Sequence, residues 1–155
     1  MKRLICSVVV ISMFFTCFTA VTWAESATKK EVTIKCEAAV RLIQEVGVDN
    51  AAGVIGDKSG PFVWKDAYVF LMDIDGKMIA HPMSPEMVKE DNILQVADTN
   101  GKKITVAFIK VAIGSGKGWV NYMWPKPGRD QPAPKSAYIL RVPNTPYFVG
   151  SGIYQ

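Results

Sequence analysis

The stretch from residue 118 to residue 138 constrains the fold of this chain more than any other. It begins with an alternating run, GWVNYMW, at positions 118–124. Successive residues of a strand point to opposite faces, so Val120, Tyr122 and Trp124 share one face. The Pro- and Gly-rich segment 125–134 lacks the donors of a strand. We therefore expect it to turn the chain into a second, antiparallel strand that begins near Lys135.

This hairpin predicts a cluster of rings around one cation. It brings together Tyr122, Trp124, Lys135 and Tyr138. Large rings with polar tips beside a cation can form the wall of a site for a small acid. In the alternative interpretation, the rings belong to the core and Lys135 is solvated. The pattern of residues leaves both interpretations open.

The N-terminus predicts export. Two basic residues, Lys2 and Arg3, precede an apolar run from Leu4 to about Ala20, and small residues lead up to Ala24. This order is typical of a secretory signal peptide at residues 1–24 that is cleaved after Ala24. An uncleaved anchor is the alternative, because the run is close to spanning length. We predict a periplasmic protein that meets the membrane only if this segment is retained.

The remainder of the chain, residues 25–155, suits one domain. Removing 24 of 155 residues leaves 131, enough for a hydrophobic core. Because Lys2 and Arg3 leave with the signal, the net charge falls from +4 to +2. No dense basic run remains, which argues against nucleic acid as a partner. Of the three cysteines only Cys36 lies beyond residue 24, and we expect a buried thiol rather than a nucleophile.

The first part of this domain is predicted to be helical. Apolar residues recur at spacings of three and four from about Thr28 to Val46, which indicates an amphipathic helix. Gly47 is a natural stop. Asp49 or Asn50 is then expected to cap a short second helix that ends near Ile55.

The rest of the chain is predicted to be mostly strand. Residues 68–73 are apolar on both faces, which indicates a central strand. A turn at Asp75-Gly76 leads to a partner strand at 77–81, and further strands are expected at 135–142 and 147–154. Asp98–Gly101 is either a turn or the cap of a helix over 102–113. This order predicts an α+β fold, a long N-terminal helix packed on one antiparallel sheet.

The sequence contains no recognisable catalytic or metal-binding set. His81 is the only histidine, so a zinc site of the usual kind is not expected, and its side chain is either a hydrogen-bonded strand-end residue or a pocket donor. Asp73 to Gly76 resembles the opening of a calcium loop, but Ser84 stands at the twelfth position, where an acidic ligand is required. No nucleophile elbow or phosphate loop is present. We predict no enzymatic activity, no cofactor and no metal.

The ordered motifs of the chain resemble the single Cache domain family. The resemblance rests on YVFLMD at 68–73, Asp75-Gly76 and His81-Pro82, followed by the run from Asp98 to Lys102. The pattern continues through GWVNYMW at 118–124, Lys135 and Tyr138, and the terminal Gly150-x-Gly152-x-Tyr154. It covers about residues 30–155.

The resemblance implies a PAS-like sheet behind a long N-terminal helix, with a ligand pocket on one face. Such domains are typically extracytoplasmic sensor modules of chemoreceptors and histidine kinases, and many recognise small carboxylates such as acetate, propionate, lactate or pyruvate. By position, the resemblance assigns seven pocket residues. These are Tyr68, His81, Trp119, Tyr122, Trp124, Lys135 and Tyr138.

These observations favour a periplasmic domain that binds a small organic acid and contributes to signal transduction or chemotaxis. No second apolar span or transmitter follows in the sequence, so we expect a separate membrane-bound receptor or histidine kinase to carry the signal. The alternative is an interaction module that docks on such a protein irrespective of ligand.

Overall fold

The computed structural model describes residues 25–155, so the predicted signal peptide lies outside the described residues. Helix α1 spans Lys29–Val46, as its periodicity predicts. It begins with a capping box. The Thr28 hydroxyl accepts from the backbone N–H of Glu31, and the Glu31 carboxylate accepts from the backbone N–H of Thr28 at 2.8 Å. These bonds satisfy donors that the first helical turn leaves free.

Helix α2 spans Val48–Gly56 and starts earlier than expected. Gly47, with φ of 80°, forms both the end of α1 and the start of α2. The expected cap at Asp49 or Asn50 is therefore wrong. Both residues lie inside the helix, and the Asn50 amide donates back to the carbonyl of Val46 at 2.9 Å.

Within residues 25–155, six strands form one antiparallel sheet. They are β1 (Val63–Trp64), β2 (Ala67–Asp73), β3 (Met78–Ala80), β4 (Lys117–Pro125), β5 (Pro132–Arg141) and β6 (Tyr147–Tyr154). The strand order is β1-β2-β6-β5-β4, and β3 also pairs with β2. Strand β2 is thus central, and the predicted α+β fold is confirmed.

The connection from β3 to β4 contains a 3-10 turn at Pro85–Lys89 and helix α3 at Ile104–Gly114. Asp98 forms a turn rather than the cap of α3. Its carboxylate accepts from the backbone N–H groups of Asn100 and Lys102, and also from Met123 on strand β4. This carboxylate therefore anchors the turn to the edge of the sheet.

The sheet lies between two layers, and its two faces have separate cores. On the α1 face, α1 and α2 pack against side chains of the central strands, including Val69, Leu71 and Val149. On the α3 face, α3 and the loop before it pack against alternate residues of the same strands, including Phe70, Ile139 and Phe148. Strand alternation therefore assigns neighbouring residues to different cores.

The Pro-rich turn is shorter than expected, because both strands extend into it. The expected loop at 125–134 contracts to 126–131, since Pro125 pairs with Pro132 and Met123 with Pro134. Pro134 directs its carbonyl towards Gln155, where β6 ends. Its missing N–H therefore faces the side on which the neighbouring strand stops, so the ladder tolerates the proline.

In the part of the chain that the structure describes, each helix is too short or too polar to cross a membrane.

Candidate functional site

The register of the sheet separates the seven predicted site residues into two groups. Tyr122 lies opposite Lys135, which in turn lies opposite Tyr154, so these three side chains share the α3 face. The same face carries Tyr68 from β2 and Trp124 from β4. His81 lies just after β3, and its ring is 4.9 Å from that of Tyr68. Five of the seven predicted residues therefore lie on one side of the sheet.

The other two predicted residues, Trp119 and Tyr138, lie on the α1 face. They pair across β4 and β5 with their rings 5.3 Å apart, and the Lys29 ammonium lies 5.2 Å from the Trp119 ring. The expected grouping of Tyr138 with Lys135 is wrong, because residues three apart on a strand point to opposite faces. Neither residue therefore shares a face of the sheet with Lys135.

Lys135 is the unusual residue of this site. Its side chain is only 2% exposed, and its Nζ donates to the Tyr68 hydroxyl at 3.1 Å. Nζ also lies 4.2 Å from the Tyr68 ring centroid and 4.6 Å from that of Tyr154. Among residues 25–155, no carboxylate lies within ion-pair distance of it. The alternative in which Lys135 is solvated is therefore wrong.

The backbone of β6 makes room for this lysine. A Cβ atom at Gly152 would lie 2.9 Å from Cε of Lys135, closer than carbon atoms pack. At Gly150 a Cβ atom would overlap the ring of Phe70. The two glycines let large side chains of the neighbouring strands cross over β6.

Burial makes the charge of Lys135 costly. It lowers the pKa of the ammonium to about 7, and the negative charge of Asp66 only partly offsets this shift. A buried ammonium without a counter-ion is strongly unfavourable. A bound carboxylate would supply the missing negative charge and would favour the protonated lysine.

His81 presents a neutral ring to the site. Its Nδ1 accepts from the backbone N–H of Ser84 at 2.8 Å, which places the proton on Nε2. Burial, together with the positive charge of Lys135, lowers the pKa of His81 to about 3. His81 is therefore a hydrogen-bonded residue at the strand end whose neutral Nε2–H remains as a donor.

A cavity of about 30 Å³ lies between the sheet and α3, and we call it the inner cavity. Its wall is mostly apolar, with a few polar groups. The lining residues are Tyr68, Phe70, Met72, Met78, His81, Met87, Ile93, Val96, Ile104, Thr105, Phe108, Tyr122 and Trp124. A water molecule requires roughly 10–15 Å³, so this volume limits an occupant to a few atoms unless side chains move.

Tyr68 stands between Lys135 and the inner cavity. Its ring lines the cavity, whereas Nζ of Lys135 lies behind it. Because its oxygen accepts from Nζ, the Tyr68 hydroxyl keeps its own proton for an acceptor in the cavity. Burial raises the pKa of Tyr68 to about 12, so the hydroxyl stays protonated at neutral pH. Direct contact between an anion and Nζ requires the Tyr68 ring to move aside.

Sequence reasoning missed several residues of this site. Tyr154 follows from the register, since it lies directly opposite Lys135 on the neighbouring strand. Thr105 and Phe108 come from α3, which the sequence predicts as a helix without indicating which strands it covers. Within the described residues, no three His, Cys, Asp or Glu side chains come close enough together to hold a metal ion.

The fold and this site define a class of protein: an α+β domain with a small, mostly apolar cavity between its sheet and a covering helix. The family model of the Cache domain matches residues 61–155, and the chain belongs to that family. Over 89 residues it is 34% identical to the methyl-accepting chemotaxis protein McpP of Pseudomonas putida, a match over 57% of this chain and 16% of McpP. Over 90 residues it is 33% identical to the sensor histidine kinase MctS of Rhizobium johnstonii, a match over 58% of this chain and 19% of MctS. The matched segments thus span less than a fifth of these two relatives.

Solved structures show the same relationship. A periplasmic sensor domain of a chemotaxis protein is 27% identical, with a TM-score of 0.69, over 81% of this chain and 93% of that chain. A Cache chemosensory domain described for its recognition of carboxylic acids is 29% identical, with a TM-score of 0.62, over 79% of this chain and 82% of that chain. The resemblance to Cache sensor domains of chemotaxis proteins and histidine kinases is therefore confirmed.

Proposed function

We propose that residues 25–155 form a single Cache domain that binds a small carboxylate in the periplasm. The observation that carries this proposal is the buried Lys135 ammonium, which has no acidic partner in the described chain. The likeness to a domain that recognises carboxylic acids supports the ligand class. Acetate, propionate, lactate and pyruvate are the candidates that match the few-atom cavity.

The residues around the cavity take distinct roles in this proposal. Lys135 supplies the positive charge, and the Tyr68 hydroxyl and Nε2–H of His81 donate hydrogen bonds to the carboxylate. Tyr122 and Trp124 enclose the carbon chain of the acid. The aromatic wall excludes water, which strengthens the polar contacts that fix the carboxylate.

The size of the ligand limits its affinity. At most about 1.5 kcal/mol is gained per heavy atom, so acetate and propionate, with four and five heavy atoms, gain up to about 6–7.5 kcal/mol. This corresponds to dissociation constants of roughly 3–40 μM at best. We therefore expect micromolar or weaker binding.

Isothermal titration calorimetry with the four acids tests the proposal, using Lys135→Met as the key variant. Methionine has an unbranched side chain that is one heavy atom shorter than that of lysine, and it removes the charge. Because opposite charges roughly 6–8 Å apart attract each other by about 2–3 kcal/mol at an effective dielectric constant of about 20, loss of the lysine charge should weaken binding by about 30- to 150-fold. Lys110→Met, at an exposed position of α3, is the matched control and should bind normally. If none of the acids binds the wild-type protein, the proposal is refuted.

We further propose that the signal passes to a membrane-bound receptor or histidine kinase, because the relatives that share this segment are a chemotaxis protein and a sensor kinase. Deletion of the gene should then abolish a cellular response to the bound acid. Wild-type protein should restore that response, and Lys135→Met should not. A response that persists without the protein would contradict this role.

A further inference from the structure

A second, larger concavity adjoins the inner cavity, and we call it the outer chamber. It has a volume of about 300 Å³. Its wall is formed mainly by the β4–β5 loop, and its lining residues are Lys58, Tyr68, Met83, Ser84, Trp124, Pro125, Lys126, Pro127, Gly128, Arg129 and Asp130. Tyr68 and Trp124 line both spaces. These two rings therefore form the partition between the outer chamber and the inner cavity.

The outer chamber concentrates positive charge. Lys58, Lys126 and Arg129 face one acidic residue, Asp130, so the lining carries a net charge of +2. This equals the net charge of residues 25–155 as a whole, which contain 16 basic and 14 acidic residues once Lys2 and Arg3 are left out. Within the described chain, none of the three cations forms an ion pair.

The two spaces differ in the chemistry of their walls. Away from the partition, and apart from His81, Thr105 and Tyr122, the inner cavity is closed by apolar side chains such as Met87, Ile93 and Phe108. A carboxylate crossing that side would lose its hydration without compensation. Through the outer chamber, the same anion would move from water past cations to the Tyr68 hydroxyl. The Lys126 ammonium lies 5.3 Å from the Tyr154 ring, whose centroid is 4.6 Å from Nζ of Lys135.

We infer that the outer chamber is the entrance through which carboxylates reach the inner cavity, with Tyr68 and Trp124 as its gate. Lys58, Lys126 and Arg129 select anions by raising the rate at which they enter. This inference rests on the proposed function and deepens it, because it assigns residues to the selection of charge before binding. A charged mouth raises local ligand concentration and association rate, and salt screens the effect.

Neutralising the entrance tests the role of charge. The variant Lys58→Gln, Lys126→Gln, Arg129→Gln is compared with Lys30→Gln, Lys77→Gln, Lys110→Gln, which removes the same charge from exposed positions outside both cavities. Association and dissociation rates are measured by stopped-flow tryptophan fluorescence with the tightest binder among acetate, propionate, lactate and pyruvate. At low salt the entrance variant should associate about tenfold more slowly, with its dissociation rate within twofold of wild type. The difference should shrink as salt is added, and the control variant should change little.

Plugging the chamber tests the route itself. Cys36, the one cysteine of residues 25–155, is buried, so a thiol introduced by Lys126→Cys can be labelled selectively. A bulky maleimide should slow association and dissociation together, because a blocked passage hinders both directions. A small methylthio label at the same position should remove only the effect of the charge. Lys110→Cys with the bulky label is the control for labelling away from the chamber.

The outcomes separate this inference from the proposed function. If an acid binds but the neutralised and plugged proteins keep wild-type rates, the entrance lies elsewhere and the inference is overturned. If none of the four acids binds the wild-type protein, the proposed function fails and the entrance fails with it. Slower entry in both variants, with normal rates in both controls, supports the inference.

Discussion

The α1 face and the α3 face of the sheet are built from the same strands and differ in what they bury. On the α1 face, helices α1 and α2 cover a core of aliphatic residues such as Val69, Leu71 and Val149. On the α3 face, the core includes several aromatic rings and adjoins a small cavity, the neutral His81 and the unpaired Lys135. The first face contributes a packed core, and the second holds a buried ammonium with no carboxylate within ion-pair distance among residues 25–155.

This difference shows how one sheet carries a packed core on one face and a small cavity near a buried lysine on the other. Neighbouring residues of β5 point to opposite faces of the sheet. Lys135 lies on the α3 face, and Ser136 lies on the α1 face. The cost of the buried ammonium is met by hydrophobic burial elsewhere in the same domain. If the two faces are independent, a substitution on the α1 face should change stability without changing acid affinity.

The largest effect on stability should come from the α1 face. Leu71 is fully buried there, so Leu71→Ala should lower the free energy of unfolding by about 2–5 kcal/mol. Urea denaturation measures this loss, and Ile34→Ala, at a position that is 50% exposed, should change stability by less than about 0.5 kcal/mol. Acid affinity of the folded Leu71→Ala protein should stay within twofold of wild type. A clear loss of affinity would show that the two faces are coupled.

On the α3 face, removing a charge should raise stability. Replacing a buried charge by an apolar side chain of similar size relieves its desolvation, so Lys135→Met should gain about 1–3 kcal/mol in the apo protein at pH 6. Thermal and urea unfolding measure this gain, with Lys110→Met as the control. A loss of stability would mean that the Tyr68 and Tyr154 rings already compensate the ammonium.

The same ammonium should make apo stability depend on pH. Its pKa is about 10.4 in an unfolded chain and falls to about 7 on folding, so between these values the unfolded state binds the extra proton. The free energy of unfolding should therefore rise with pH from about 7 towards 10, by up to about 1.4 kcal/mol per pH unit. Above about pH 10 the raised pKa of Tyr68 opposes this trend. A wild-type slope equal to that of Lys135→Met would exclude Lys135 as its source.

The smallest effect should distinguish two tyrosine hydroxyl groups. Tyr68→Phe removes the oxygen that accepts from Nζ of Lys135 and should weaken acid binding by about tenfold. Tyr138→Phe, on the α1 face, should bind within twofold of wild type. Calorimetry with the same acid compares the two variants. Equal losses of affinity in the two variants would show that Tyr138 contributes to acid binding, as the sequence predicted.

The elements of this fold were predictable because their signals are local. The spacing of apolar residues predicts α1, and the apolar run at 68–73 predicts a central strand. The cap of α2 and the length of the Pro-rich turn were not predictable in this way. Gly47 serves two helices at once, and Pro134 is tolerated only because β6 ends beside it.

The side of the sheet on which each candidate site residue lies was predictable only in part. Tyr68, Tyr122, Trp124, His81 and Lys135 lie on the same side of the sheet, as expected. Trp119 and Tyr138 lie on the opposite side, although the alternation of residues along each strand could be read from the sequence. The family resemblance assigned all residues of a motif to the pocket, but alternate residues of a motif on a strand point to opposite faces of the sheet.

The sequence by itself determined which residues alternate, where most of the strands and helices lie and which residues bring charge and rings to the last strands. The tertiary structure decided which side of the sheet each alternate set occupies, because that depends on long-range pairing and on which helix covers which face. It also decided that Lys135 is buried. A lysine on a strand is buried or solvated according to the side chains of other strands around it. For Lys135 these are Tyr68 on β2 and Tyr154 on β6, which only the folding of the chain brings next to it.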